Sequence, residues 1–172
     1  MEKSGSTVVL FKDDSRREVF LVFRSDYPIW VTTGGGAEPG ETPAETALRE
    51  AFEETGFKVK IARYAGLYQR ESGKVEHKSY LFEGRIVSGE FKPEFPGCKG
   101  RWFSVDKLPW SMTDRTREKI LDCLKHESEQ FEKEHQPLRL RNNFHLLLPH
   151  PVATIKYIVK NLVSGGFKGS RL

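Results

Sequence analysis

Three successive glycines, Gly34-Gly35-Gly36, are followed within six residues by a capped helix start and then by three glutamates a turn apart. No other feature constrains the chain as much. Thr42 suits the N-cap, Pro43 the first helical position, and Glu45 completes a capping box with Thr42. Gly56 stands where a left-handed residue ends the helix. Projected at about 100° per residue, Ala44, Leu48, Ala51, Phe52 and Thr55 fall on one side, the side expected to pack on a sheet. Glu50, Glu53 and Glu54 fall nearly opposite, with Arg49 beside Glu53.

Carboxylates at i, i+3 and i+4 repel one another, and near a helix C-terminus the dipole also disfavours them. A plain solvated acidic face accounts for the charges, but not for the glycines, the cap and Arg49 arriving together. A bound Mg2+ or Mn2+ accounts for all of them. Hard cations take carboxylate oxygens and leave room for water and phosphate, and glycines let main chain come close to metal or phosphate.

The rest of the chain supplies a sheet. Residues 7–11 and 19–23 are short apolar runs separated by a polar turn, and 29–33 is rich in β-branched residues. Phe57, Val59 and Ile61 alternate with Lys58 and Lys60, the period of a half-buried strand. Further strands are expected at 64–71, 78–87 and 101–104, and Pro93, Pro96, Gly97 and Gly100 mark 90–100 as a loop. From Thr113 onward, Ile120, Leu121, Leu124 and Phe131 stand at roughly helical spacing, closed by Pro137. A second helix is expected at 151–162, and 165–172 reads as a basic tail. Strands interrupted by one helix and followed by others predict an α/β (α+β) fold, a mixed β-sheet sandwiched between helices.

At 172 residues, 37% hydrophobic and 30% charged, the chain describes a globular domain able to bury a core without metal or disulfide support. Cys98 and Cys123 form no disulfide framework and are read as free thiols in a reducing compartment. No stretch approaches the roughly 18 apolar residues of a membrane span, and the short run Val8 to Phe11 is too brief for a signal peptide. The expectation is a cytoplasmic protein with no membrane partner. A net charge of +4 fits an anionic partner.

Gly35, five residues, Glu41, seven residues, then Arg49-Glu50-Ala51-Phe52-Glu53-Glu54-Thr55-Gly56-Phe57 resembles the Nudix box throughout. Looser likeness runs through Arg24, Trp30, the strand from Tyr80 to Val87, and Arg101-Trp102-Phe103. The resemblance implies a Nudix-like α/β/α sandwich over residues 1–137. Residues 138–172 would add a C-terminal helix and basic tail on the same domain.

It also implies a divalent-metal-dependent pyrophosphohydrolase acting on a nucleoside diphosphate linked to another group. Glu50, Glu53 and Glu54 would be metal ligands, with the Gly34 carbonyl a further one and Glu41 a supporting one; Mg2+ is the expected ion, with Mn2+ a substitute. Arg49 would hold the carboxylates by charge-assisted hydrogen bonds. A carboxylate of the Glu50, Glu53 and Glu54 cluster can receive the water proton, or the base comes from a downstream loop, where Glu90 and Glu94 are candidates. The family often places an acid just before the strand matching Arg101-Trp102-Phe103, but here Lys99 and Gly100 stand there. Many relatives carry a proline before the glycine pair, where this chain has Thr33.

Substrate contacts are expected from Arg24, with Trp30 and Tyr68 as stacking rings and Arg70, His77 and Lys78 as a phosphate rim. Two other readings compete. One is a nucleotide-sensing module of the same fold that does not cut, against which the intact Glu50, Glu53 and Glu54 argue. The other is an RNA 5′-cap or polyphosphate hydrolase using Lys156, Lys160, Lys168 and Arg171, which lack the interleaved aromatics of a single-stranded RNA surface.

Overall fold

A computed structural model describes residues 2–72, 75–126 and 129–134; the helix expected at 151–162 and the tail at 165–172 lie outside them. The strands are β1 (Glu2–Phe11), β2 (Glu18–Phe23), β3 (Trp30–Val31), β4 (Thr33–Gly36), β5 (Lys58–Ser72), β6 (Val75–Ser88), β7 (Lys99–Ser104) and β8 (Phe131–Glu134). The helices are α1 (Pro43–Thr55) and α2 (Asp114–Lys125), with a short 3-10 turn at Val105–Lys107. One mixed sheet runs in the order β3-β2-β1-β6-β5-β8, with β4 added to β1 and β7 to β2. The β1–β6 and β5–β8 pairs are parallel and the others antiparallel.

Strand β1 explains why the sheet is covered twice. Its Val8 and Leu10 pack with Phe20, Val22, Phe57 and Phe82 beneath Ala47 and Ala51 of α1. Its Val9 and Phe11 pack on the other face with Leu21, Leu81 and the α2 residues Ile120 and Cys123. A strand buried on both faces reads as a continuous apolar run, not an alternation, which is how Val8-Val9-Leu10-Phe11 stands in the sequence. The expected α/β/α sandwich is what the chain forms.

Three expectations need correction. The glycine triplet, which reads in the sequence as a glycine-rich loop before the helix, is a strand: Gly34, Gly35 and Gly36 lie in β4, paired with Thr7, Ser6 and Gly5 of β1. The segment after Thr113 is not helical as far as Phe131. The helix stops at Lys125, and Phe131–Glu134 pairs in parallel with β5. The Phe131 ring there sits edge-on to Tyr68 at 5.2 Å and over Gly66, where a Cβ would come within 2.6 Å of it.

The packed side of α1 is also rotated from the projection. Ala47 and Ala51 are fully buried while Phe52 is 54% exposed. Two alanines let the helix axis approach the sheet along their own line. Glu54, one turn from Ala51 and two from Ala47, is thereby carried to the edge of the packed face.

Candidate active site

The helix that presents the acids is fixed locally at both ends. Thr42 accepts the Glu45 amide at 3.3 Å while the Glu45 carboxylate accepts the Thr42 amide at 2.8 Å, the reciprocal pairing that satisfies orphan donors at a helix start. Gly56 closes the helix at φ +74, its amide donating to Phe52 O. A Cβ there would stand 2.8 Å from Glu90 O. The β6–β7 connection can therefore press against the helix end, where Lys92 N donates to Thr55 O at 2.8 Å.

Strand β4 and helix α1 meet at the acids. Gly34 N donates to Glu54 Oε2 at 3.0 Å. A Cβ on Gly35 would lie 2.4 Å from the Glu50 carboxylate, and one on Gly34 would lie 2.3 Å from Ser6 O. The glycines are thus required on both sides of the strand: Gly34 for β1, Gly35 for Glu50.

Arg49 ties the assembly together. Its Nε and Nη2 grip Glu41 at 2.6 and 3.0 Å, and Nη2 also donates to Gly36 O at 2.8 Å. Nη1 reaches Glu50 at 2.9 Å and Glu53 at 3.1 Å. Glu41 additionally accepts from the Glu38 amide and the Thr46 hydroxyl. With Arg49, that holds its carboxyl at about 2, well below the usual range. The oxygens of Glu41 are thereby committed to orienting Arg49.

Glu50 and Glu54 are different. Burial raises the proton affinity of both, and Glu54 is pushed up to about 8 against the lowering effect of the Gly34 amide, with Glu50 adding to the rise. Two part-buried carboxylates one turn apart, each with one oxygen given no donor among the described residues, make a donor set that suits a hard divalent cation. Glu53 is nearer solvent, its carboxylate 43% exposed at the rim. No group of three or more His, Cys, Asp or Glu side chains stands together as a metal site among the described residues, Glu50, Glu53 and Glu54 included. A cation here would keep faces open for water and phosphate.

Beside the acids opens a cleft lined by Val22, Arg24, Val31, Glu54, Glu94, Phe95 and Cys98. Arg24 is held in a two-pronged pair with Asp26, Nε to Oδ1 at 2.9 Å and Nη2 to Oδ2 at 2.8 Å, which raises its proton affinity further. Glu94 has its pKa raised, chiefly by burial and against Arg24. Glu90, the other loop acid, is exposed at the end of β6 and does not line the cleft. Sequence alone points to neither Asp26 nor Phe95, and to Cys98 only as a free thiol; the cleft forms only when β2, β3 and the β6–β7 connection converge beside α1.

The remaining expected substrate residues sit elsewhere. Tyr68 is 1% exposed, its hydroxyl donating to Asp122 at 2.6 Å, so it is a core residue with no ring face to offer. Trp30 is wedged by Phe103 at 4.7 Å and Phe23 at 5.4 Å and packs on the α2-side core. Arg70 lies across from His77, which lies across from Lys3. This basic row lowers the His77 pKa, after burial. Lys78 is instead neutralised by Glu2 and Glu76.

An acid-bearing helix docked on a glycine strand, in a sandwich of this topology, defines the Nudix class. A model of the NUDIX domain matches residues 1–123, and the chain belongs to that family, whose similar members are named as hydrolases of phosphorus anhydrides. It is 32% identical over 123 residues to a putative 8-oxo-dGTP diphosphatase of Bacillus subtilis, covering 71% of this chain and 80% of that one. It is 37% identical over 110 residues to human diphosphoinositol polyphosphate phosphohydrolase 2, covering 60% of this chain and 59% of that protein. Among solved structures, an ADP-ribose pyrophosphatase of Streptococcus suis matches with a TM-score of 0.60 at 21% identity, covering 77% of this chain and 98% of that one. A NUDIX hydrolase of Nitrosomonas europaea matches with a TM-score of 0.64 at 19% identity, covering 77% and 78%. These two likenesses establish the fold.

Proposed function

We propose that the protein hydrolyses a phosphoanhydride in a nucleoside diphosphate linked to another group, using a divalent cation, Mg2+ or Mn2+, held by Glu50, Glu54 and Glu53 with the Gly34 carbonyl. The observation that carries this reading is the pair of part-buried carboxylates, Glu50 and Glu54, facing a glycine strand that can admit nothing larger than hydrogen. When bound, the cation would screen the attacked phosphate and lower the pKa of water.

The chain's own residues do the rest. Arg49 holds Glu50 and Glu53 in place, and Glu41 holds Arg49, so Glu41 supports the site without ligating in it. Glu94, in the cleft with Glu54 and with proton affinity raised by burial, is placed to accept the proton of an attacking water. Arg24, fixed by Asp26, meets the negative charge of a phosphate entering beside Glu54.

A second reading is favoured by the row Lys3, His77 and Arg70. It would suit a more highly phosphorylated, non-nucleotide substrate, such as the one named for the diphosphoinositol relative. The deciding experiment is a phosphate-release screen with Mg2+ or Mn2+ over nucleoside diphosphate derivatives, diphosphoinositol polyphosphates and 5′-capped RNA, run beside the Glu54→Gln variant. Turnover of a nucleoside diphosphate derivative that is lost in the variant supports the main reading. Binding without any turnover across the panel would make the protein a nucleotide sensor.

A further inference from the structure

One aromatic side chain, Phe95, lines the cleft beside the acids. Phe20, Phe57, Phe91 and Trp102 form one packed cluster under α1, with centroids 5.1 to 6.2 Å apart. Phe95, four residues beyond Phe91, takes no part in it. It stays 38% exposed and lines the cleft with Arg24, Glu54 and Glu94, and no ring or cation is stacked on it among the described residues.

Its backbone is pinned. Cys98 N donates to Phe95 O at 3.3 Å, closing a turn. Gly97 takes φ +86 in that turn, and a Cβ on it would come within 3.1 Å of Ser25. Ser25 Oγ donates to Pro96 O at 3.0 Å and lies 3.7 Å from Cys98 Sγ. The loop is thus fastened to the residue after Arg24, and Arg24 is fastened to Asp26. A large exposed apolar ring on a tethered turn, sharing a cleft with a clamped guanidinium, is the arrangement in which a flat group can lie against a ring while its phosphate meets a cation.

Resting on the reading above, we propose that Phe95 is a specificity-determining residue. Its ring is the stacking wall for the base of a nucleotide whose phosphate meets Arg24 in the same cleft. The occupant is a nucleobase because the cleft is continuous with the acids. Arg24 and Phe95 line the same cleft, so a phosphate at Arg24 and a base on Phe95 can belong to one ligand, and base stacking on an aromatic ring tolerates any base.

The test is equilibrium binding of nucleoside 5′-monophosphates and of ribose 5-phosphate, which lacks the base, to wild type and to Phe95→Ala, Phe95→Trp and Glu54→Gln proteins. Wild type should bind the nucleotides about tenfold or more tightly than ribose 5-phosphate. Phe95→Ala should erase that preference, and Phe95→Trp should restore it. Glu54→Gln should keep the preference even where hydrolysis is gone, so the stacking role and the catalytic reading fail separately. Equal binding of nucleotide and sugar phosphate by wild type, or a preference that survives in Phe95→Ala, would overturn the proposal. So would a preference lost in both Phe95→Ala and Phe95→Trp.

Discussion

The Gly34 amide hydrogen points at the Glu54 carboxylate, 3.0 Å from N to Oε2, and this bond joins strand β4 to the last turn of α1. Gly34 is also pressed against β1, where a Cβ would meet Ser6 O at 2.3 Å and Thr7 Cα at 2.7 Å. Its neighbour Gly35 faces the other way, onto Glu50. The two glycines should therefore fail differently. Gly34→Ala collides with backbone on both counts and should lower stability by about 1–3 kcal/mol, read in a thermal or urea melt. Gly35→Ala collides with a movable side chain, so its melt should stay near wild type while cation affinity, followed by Mn2+ titration, falls about tenfold.

Arg49 offers a second separation. A lysine keeps the charge but cannot reproduce the fork that reaches Glu41, Glu50, Glu53 and Gly36 O together. Arg49→Lys should lose roughly 10- to 100-fold in turnover or metal affinity, with a circular-dichroism spectrum like wild type. A lysine variant with unchanged kinetics would show that charge alone, not the fork, sets the site.

Away from the site, Glu83 is 1% exposed and accepts from three arginines: Arg16 at 2.9 Å, Arg63 at 3.0 Å and Arg85 at 2.8 Å. Removing the acid strands those cations against one another. Glu83→Ala should cost on the order of 3–5 kcal/mol in a denaturant melt, while kcat per folded molecule holds.

Lys119 gives a pH signature. Its ammonium donates to Thr7 Oγ1 at 2.7 Å, and burial, with Arg115 nearby, pushes it down to about 8. Between there and its ordinary value near 10.5, the unfolded chain holds a proton that the folded chain has released. The contribution of Lys119 to stability must therefore rise with pH across that window and stay flat below it. The stability of wild type relative to Lys119→Met should climb from pH 8 to 10. A constant difference would place the ammonium in solvent.

What the sequence disclosed was what its near neighbours decide. The α1 caps involve Thr42, Glu45 and Gly56, all within one helix, and they formed as expected. The doubly buried β1 was visible as an unbroken apolar run. The rotation of α1 was not, because wheel geometry treats Phe52 and Ala51 alike, whereas close packing favours the small residue and leaves Phe52 outside. Spacing alone puts Phe131 in a helix, yet its partner is Gly66 on β5, a pairing that no local pattern announces. Tyr68 looked like a stacking ring until its hydroxyl found Asp122, 54 residues away. Within the site, the Nudix box announced the acids, Arg49 and Glu41. The cleft wall of Arg24, Glu94 and Phe95 depended on three separate segments meeting, so only its polar members could be nominated.

Whether Glu54 and Glu50, on α1 against the glycine strand, hold the cation that serves anhydride hydrolysis is read in the Glu54→Gln protein. Mn2+ affinity and turnover of a nucleoside diphosphate derivative would be measured on one preparation, beside a thermal melt. Metal affinity should weaken by about tenfold or more, turnover should be abolished, and the melting temperature should be no lower than that of wild type, because burial disfavours the Glu54 charge that glutamine never carries. Wild-type turnover with wild-type metal affinity in that protein would show that Glu54 does not hold the cation.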